Sequence, residues 1–422
     1  MNYELFIAKR LIANKKGKDS ISSSIIKIAI VSITVSMIVM ILTISTGIGL
    51  KHKIKEKLSG LNGHIVINKF DENNGFNSQK PISINQKFYP KFKEVSGIKH
   101  VQTFAIKTGV IRTETDVESA VFKGVGKDYD WSFFKDYLVK GNVLEIKEKQ
   151  VNTVLISKIM ADRLKLKVGD KFNMWFFKSI DSEVNKISNT GVKANSKGRS
   201  LKIAGIFNSG VTEYDKLNII GDIKLVQGLN KWKSNQVGGF EVFIDNFDNL
   251  KEKEREIYEY IDPSLNSMSI ADKDHGLFEW LDMFDVNIRL IIIIMIIISG
   301  INMITALLVL ILERTQMIGI LKSLGNANRS IQKIFLYNAA YLIIKGLFWG
   351  NLIGIGMLLL QKYFGLVTLN PEHYYVNKAP VYINIVYILL LNMGTLILSL
   401  LMLVIPTYIV SKISPVKSIK FA

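Results

Sequence analysis

Three long stretches of this 422-residue sequence hold no Asp, Glu, Lys or Arg: Ile28–Leu50, Leu290–Leu312 and Ala379–Ser411. Each has 23 residues or more, about 34 Å as a helix, enough to cross a hydrocarbon core of about 30 Å. A fourth stretch, Ile334–Leu360, is interrupted only by Lys345. The pattern predicts an α-helical membrane protein with four transmembrane helices, one before and three after a large polar region. Lys345 lies a few turns inside its span; the two readings are snorkelling to the interface and a transport role.

The formal net charge is +18 in a chain that is 48% hydrophobic, and its distribution speaks for topology rather than for nucleic acid. The flanks 1–27, 313–333 and 412–422 together hold 13 basic and 3 acidic residues, whereas the loop 361–378 has only Lys362 and Lys378 against Glu372. The positive-inside rule then makes both termini and 313–333 cytoplasmic and 51–289 external. That external region is nearly balanced, with 38 basic and 32 acidic residues. The first apolar run is longer than the h-region of a cleaved signal peptide, which reads as an uncleaved signal anchor, although Ser45, Thr46 and Gly47 offer a cleavage site. Before it, Tyr3, Phe6, Ile7 and Leu11 recur at helical spacing beside Lys9 and Arg10; this is either an interfacial helix or an ordinary basic flank. There is no cysteine, so acylation of this chain at a thiol, as in a lipoprotein, is excluded, as are disulfides, Cys-zinc sites, iron–sulfur clusters and Cys nucleophiles.

Region 51–289 mixes helix and strand patterns, predicting a large α+β domain. Strands are expected at His64–Asn68, Val101–Arg112, Ser119–Val125, Lys171–Phe177, Leu201–Phe207 and Phe240–Ile244, and helices at Ser83–Ser96, Ser157–Leu166 and Leu250–Tyr260. Pro90 interrupts the first of these helices. Ser179–Ser200 is a polar run that reads as a long exposed loop, either a disordered excursion or a projecting binding arm. Phe278, Trp280 and Phe284 fit an aromatic belt ahead of the second span, and Pro406 is expected to kink the last one.

Catalytic patterns are poor. The five histidines show no metal-ligand spacing, no GxSxG elbow occurs, and no P-loop is present. Hydrolysis of ATP by a P-loop is therefore excluded, and three spans without Asp, Glu, Lys, Arg or His argue against an ion or proton pathway. The informative segment is Glu313–Gly325. Met317, Ile320, Leu321 and Leu324 recur at i, i+3, i+4, i+7, and Gly325 is a natural helix stop. A short amphipathic helix in a basic loop suits docking into a partner's groove, or lying on the membrane surface.

Ile318-Gly-Ile-Leu-Lys-Ser-Leu-Gly325, just after a span, resembles the signature of the FtsX-like permease family, and Ile413-Ser-Pro-Val-Lys-Ser-Ile419 resembles that family's ending. The external region is similar to the MacB-type periplasmic core. Within it Val168-Gly-Asp170, Arg199-Ser-Leu-Lys-Ile-Ala-Gly-Ile-Phe207 and Glu213-Tyr-Asp215 resemble the lipoprotein-releasing permeases LolC and LolE. The resemblance covers essentially the whole chain. It implies a periplasmic domain in two lobes, with a second lobe at about 145–235 inserted into the first. It also implies a non-catalytic permease subunit of an ABC transporter in the bacterial inner membrane. Two permease copies or paralogues would pair, and a separate LolD-like cytoplasmic ATPase would bind ATP and Mg, with no cofactor in this chain.

Carried onto this sequence, the resemblance makes Arg314, Met317, Ile318, Ile320, Leu321, Lys322, Leu324 and Gly325 the ATPase-coupling segment. Lipoprotein acyl chains would enter a chamber between the first and second spans. Met37, Met40, Ile41, Ile44, Met295 and Ile298 are its candidate contacts, the alternative being ordinary lipid- or helix-facing residues. The loop 179–200 occupies the position of a hook that grips a LolA-like carrier, with Asp181, Glu183, Lys186, Lys193 and Lys197 as candidate contacts. The hook is proline-bounded, and this loop holds no proline. The competing expectations are a MacB-like efflux or cell-envelope permease and, from another class, a membrane sensor. A sensor needs a cytoplasmic output domain after the second span, where this chain has a 21-residue loop.

Overall fold

The computed structural model describes residues 3–13, 21–70, 79–113, 116–177 and 196–412. In chain order the first elements are α1 (Tyr3–Ala13), α2 (Ile21–Asn62), β1 (Ile65–Lys69), β2 (Ile82–Ser83), β3 (Ile98–Arg112), β4 (Val117–Val125), α3 (Ser132–Asp136) and β5 (Leu138–Gly141). Then come β6 (Thr153–Ser157), α4 (Lys158–Arg163), β7 (Lys171–Phe177), β8 (Ser196–Phe207), α5 (Thr212–Leu217), β9 (Asn218–Asp222), α6 (Ile223–Asn230), β10 (Gln236–Val237), β11 (Gly239–Ile244), α7 (Leu250–Tyr260), β12 (Leu265–Ser269) and α8 (Ile270–Lys273). The C-terminal part is helical: α9 (His275–Glu313), α10 (Thr315–Ser323), α11 (Asn328–Phe364), α12 (Pro371–Tyr374), α13 (Ile385–Thr407) and α14 (Ile409–Lys412). The chain divides into two compact units, a helical one of 1–51, 280–368 and 378–422, and a sheet unit of 52–279 and 369–377.

In the helical unit α2, α9, α11 and α13 are each long and apolar enough to cross a membrane. Three of them, α2, α9 and α11, overrun their apolar stretches at both ends. The fourth is shorter than its stretch, because Pro380 lies ahead of it and the Asn384 side chain caps the amide of Val386 at 2.8 Å, starting the helix at Ile385. Pro406 sits in the last turn of α13, which ends one residue later.

The helical core is built on close approach of α2 to α11. Cβ atoms added at Gly346 and Gly350 would lie 2.7 Å from Ile33 and 2.6 Å from Met37, so both positions need glycine for the helices to meet. Thr34 Oγ1 donates to the Gly346 carbonyl at 3.1 Å, Asn302 of α9 donates to Ser32 Oγ of α2 at 2.7 Å, and Asn351 and Asn392 pair between α11 and α13. Where the apolar run of α2 ends, Lys51 bridges Asp282 and Asp285 of α9 at 2.9 and 2.6 Å.

The sheet unit carries, among the described residues, a ten-stranded mixed sheet with the path β12-β1-β11-β3-β4-β9-β6-β8-β5, and β7 pairs with both β3 and β8. The pairs β4–β9 and β6–β8 are parallel, and the rest are antiparallel. Lys171–Phe177 and Leu250–Tyr260 form a strand and a helix as their patterns predict, and Ser157 caps α4 through the Met160 amide.

Two sequence expectations need correction. Ser83–Ser96 is not a helix: Pro90, in the middle of it, lacks an amide donor, although Phe88, Phe92 and Val95 are buried as the apolar pattern required. The predicted loop loses its last residues to β8, which starts at Ser196 because it pairs with β7 from Phe177↔Ser196 to Lys171↔Lys202. Of the aromatic residues ahead of the second span, Phe278 stacks on Phe247, with ring centroids 5.9 Å apart, and Trp280 and Phe284 meet edge-on. The strands β6 and β9 escaped the sequence reading: Val154–Ser157 and Ile219–Asp222 are buried throughout, and a strand covered on both faces has no alternation.

Candidate functional site

The segment Arg314–Gly325 folds as its spacing predicts. α10 ends in a Schellman turn: Gly325 takes φ +86°, its amide donates to the Lys322 carbonyl, and the Asn326 amide donates to the Leu321 carbonyl, both at 3.0 Å. The apolar stripe is divided by tertiary packing. Ile318 and Gly319 are buried, and Met317 and Leu321 pack on the helical core. Ile320 and Leu324 stay outside, 48% and 78% exposed. Arg314 and Lys322 are half-buried. α1 lies against the start of α11, where Asn326 donates to the Tyr3 hydroxyl at 3.2 Å and Ser330 Oγ to Glu4 Oε1 at 3.0 Å. The outer part of α10 is thus an apolar edge on a rigidly ended helix.

The six candidate chamber residues are not gathered on one open surface. Met37, Met40 and Ile41 are fully buried in the helical core, with Met37 against Gly350 and Ile41 against Gly354. Ile44 and Met295 are half-buried and pack on that core, and Ile298 is exposed. The repeat Gly346-x3-Gly350-x3-Gly354 is the sequence signal that corresponds to this packing. Of the candidate carrier contacts, Asp181, Glu183, Lys186 and Lys193 lie outside the described residues, and Lys197 stands on β8 opposite Phe176.

The sheet unit encloses two polar centres that periodicity did not announce. In the first, Lys57 Nζ donates to the carbonyls of Ser209 at 2.5 Å and Tyr375 at 2.9 Å, over the Tyr137 ring. Beside it, Asp215 accepts from Ser209 Oγ at 2.7 Å and from the Gly210 amide at 3.2 Å, and its carbonyl accepts from Ser157 Oγ. Burial pushes the Asp215 carboxyl from the usual 3.8 up to about 6, against the pull of those hydrogen bonds and of Lys57. In the second centre Lys123 bonds Glu241 at 2.6 Å and the Leu61 carbonyl at 2.6 Å, and Gln102 completes the carboxylate at 2.8 Å. Burial pulls Lys123 below the ordinary lysine value, with Glu241 opposing. The first centre engages backbone of the 209–210 turn and of Tyr375, and the second ties β4, β11 and β3 to the end of α2, so both hold elements in place rather than presenting a reactive atom.

Four helices of membrane-spanning length, a short helix between two of them, and a mixed α/β domain are the features to set beside known proteins. Residues 289–415 match the family model described as FtsX-like permease C-terminal. Over 398 residues the chain is 21% identical to the lipoprotein-releasing system transmembrane protein LolC of Buchnera aphidicola subsp. Schizaphis graminum, covering 93% of this chain and 92% of that protein. It is 26% identical over 186 residues to the ABC transporter permease YtrF of Bacillus subtilis, covering 43% of this chain and 42% of that one. Among solved structures it is similar to the periplasmic region of MacB from Actinobacillus actinomycetemcomitans, at 12% identity and TM-score 0.32 over 50% of this chain and 91% of that one. The C-terminal helices thus match an FtsX-like permease model, and the full-length similarity is to a protein named as a lipoprotein-releasing transmembrane protein.

Proposed function

We propose that this chain is the permease subunit of an ABC transporter that extracts lipoproteins from the inner membrane toward a periplasmic carrier, driven by ATP and Mg on a separate LolD-like ATPase. The observation that carries the reading is similarity to a lipoprotein-releasing permease along almost the full length of both chains. Both termini and α10 are read as cytoplasmic from the charge of the flanks. The exposed edge of Ile320 and Leu324 is the docking surface for the ATPase. The sheet unit is the periplasmic domain, residues 145–235 are its inserted lobe, and the 179–200 loop is its arm toward a LolA-like carrier. Acyl chains are received between α2 and α9 of paired chains. Ile44, Met295 and Ile298 are the contacts nearest the surface, and Met37, Met40 and Ile41 back them from within.

A second reading, a MacB-like efflux or cell-envelope permease, is favoured by the proline-free loop 179–200. One experiment separates the two. With a photoreactive residue at Ile298 in the intact complex, acylated lipoproteins are expected as adducts, and the buried Met40 position serves as a control that gives none. Absence of lipoprotein adducts at Ile298, with the ATPase still bound, would favour the efflux reading.

A further inference from the structure

The sheet unit contains one piece of chain from far outside its main segment: residues 369–377, in the connection between α11 and α13. The chain therefore passes between the two units not only through α2 and α9 but also on either side of this piece. The piece is well formed. The Leu369 amide donates to the Asn377 carbonyl at 3.0 Å, the Asn370 side chain caps α12 at the Glu372 amide, and Tyr375 turns the chain at φ +57°. Val376 is 4% exposed.

What receives the turned-out carbonyl of Tyr375 is Lys57, itself 4% exposed. A buried ammonium is costly unless its donors are used. Here they reach the Ser209 and Tyr375 carbonyls, with the Tyr137 ring at 5.0 Å and the charge of Asp215 nearby. The fit is close: a Cβ at Gly210, whose φ is +74°, would lie 2.7 Å from Lys57 Nζ. One side chain thus joins the end of α2, the 209–215 turn and the α11–α13 connection.

We infer that Lys57 is a positioning residue that fastens the α11–α13 connection to the sheet unit, so that displacement of α11 and α13 reaches that unit through this loop as well as through α2 and α9. The transport consequence rests on the function proposed above; the fastening does not.

The absence of native cysteine makes the test direct, since Val376→Cys introduces the only thiol. Maleimide labelling of the full-length chain in its membrane is expected to be slow with Lys57 present. It should be faster by about tenfold or more with Lys57→Met, the effect of losing one charge-assisted hydrogen bond, and largely restored to slow by Lys57→Arg. A Val154→Cys control in the sheet interior should stay protected in all three backgrounds. Equal protection of Val376→Cys in Lys57→Met overturns the assignment, and so does loss of protection at Val154→Cys, which would make Lys57 a general stabiliser. For coupling, Lys57→Met complexes should hydrolyse ATP at the unaltered rate while releasing several-fold less lipoprotein per ATP. A fall or persistence of both together would overturn the coupling role. Failure of the unaltered chain to release lipoprotein would count against the lipoprotein reading alone, because the labelling needs no substrate.

Discussion

Asp215 and His64 give the sheet unit two opposed responses to acid. Asp215 is held at about 6 against an ordinary 3.8, chiefly by burial, so its favourable contribution is complete below 3.8 and is lost as pH rises through 6. His64 is pulled from 6.5 down to about 4 by burial and by Lys99, so its contribution is complete above 6.5 and is lost as pH falls toward 4. Each change is worth up to about 3 kcal/mol, and the windows overlap between pH 4 and 6, where the two largely offset each other. Unfolding followed across that range should show Asp215→Asn losing stability toward pH 4 more steeply than the unaltered chain. His64→Phe, which keeps a ring beside Phe243, should instead gain stability toward pH 4. Equal slopes in all three proteins would refute the assignment of these groups. Asp215 entered the sequence reading only within a resemblance motif. Its partners Ser157 and Lys57 are 58 and 158 positions away, and no local pattern brings them together.

At the scale of elements, α10 shows how much a short periodic segment can specify. Its limits, its glycine stop and its amphipathic stripe all follow from local rules, because capping and 3.6-residue periodicity involve near neighbours only. The division of the stripe does not: Met317 and Leu321 turn inward because the helical core lies there, leaving Ile320 and Leu324 outside. Substitutions therefore separate. Ile320→Asp and Leu324→Asp should leave the chain folded and in the membrane but reduce co-purification of the ATPase by about tenfold or more, as for loss of an anchoring apolar contact. Leu321→Asp should lower the yield of folded protein as well. Full ATPase binding by both outward variants, measured by pull-down in mild detergent, would remove α10 from the interface. The Ser83–Ser96 segment teaches the converse lesson: its apolar residues are buried at helical spacing without a helix, because burial fixes which side chains go inside and Pro90 fixes that the backbone cannot be helical.

For the whole molecule, orientation is the property most open to a direct check. On the cysteine-free background, Phe70→Cys in the sheet unit should react with a membrane-impermeant maleimide added outside spheroplasts, and Leu324→Cys should react only after permeabilisation. The reverse pattern would invert the topology argued from the basic flanks. The sequence by itself determined the membrane-length helices and the α10 segment, because the free energy of placing apolar residues in hydrocarbon is summed along a contiguous stretch. It determined neither the inward face of each span nor the assembly of the sheet. A helix apolar on every side carries no moment to orient it, so the burial of Met37 and Ile41 was decided by the glycines of α11. The order of strands and the capture of residues 369–377 by Lys57 likewise join residues hundreds of positions apart, and such contacts exist only once the tertiary structure has brought the partners together.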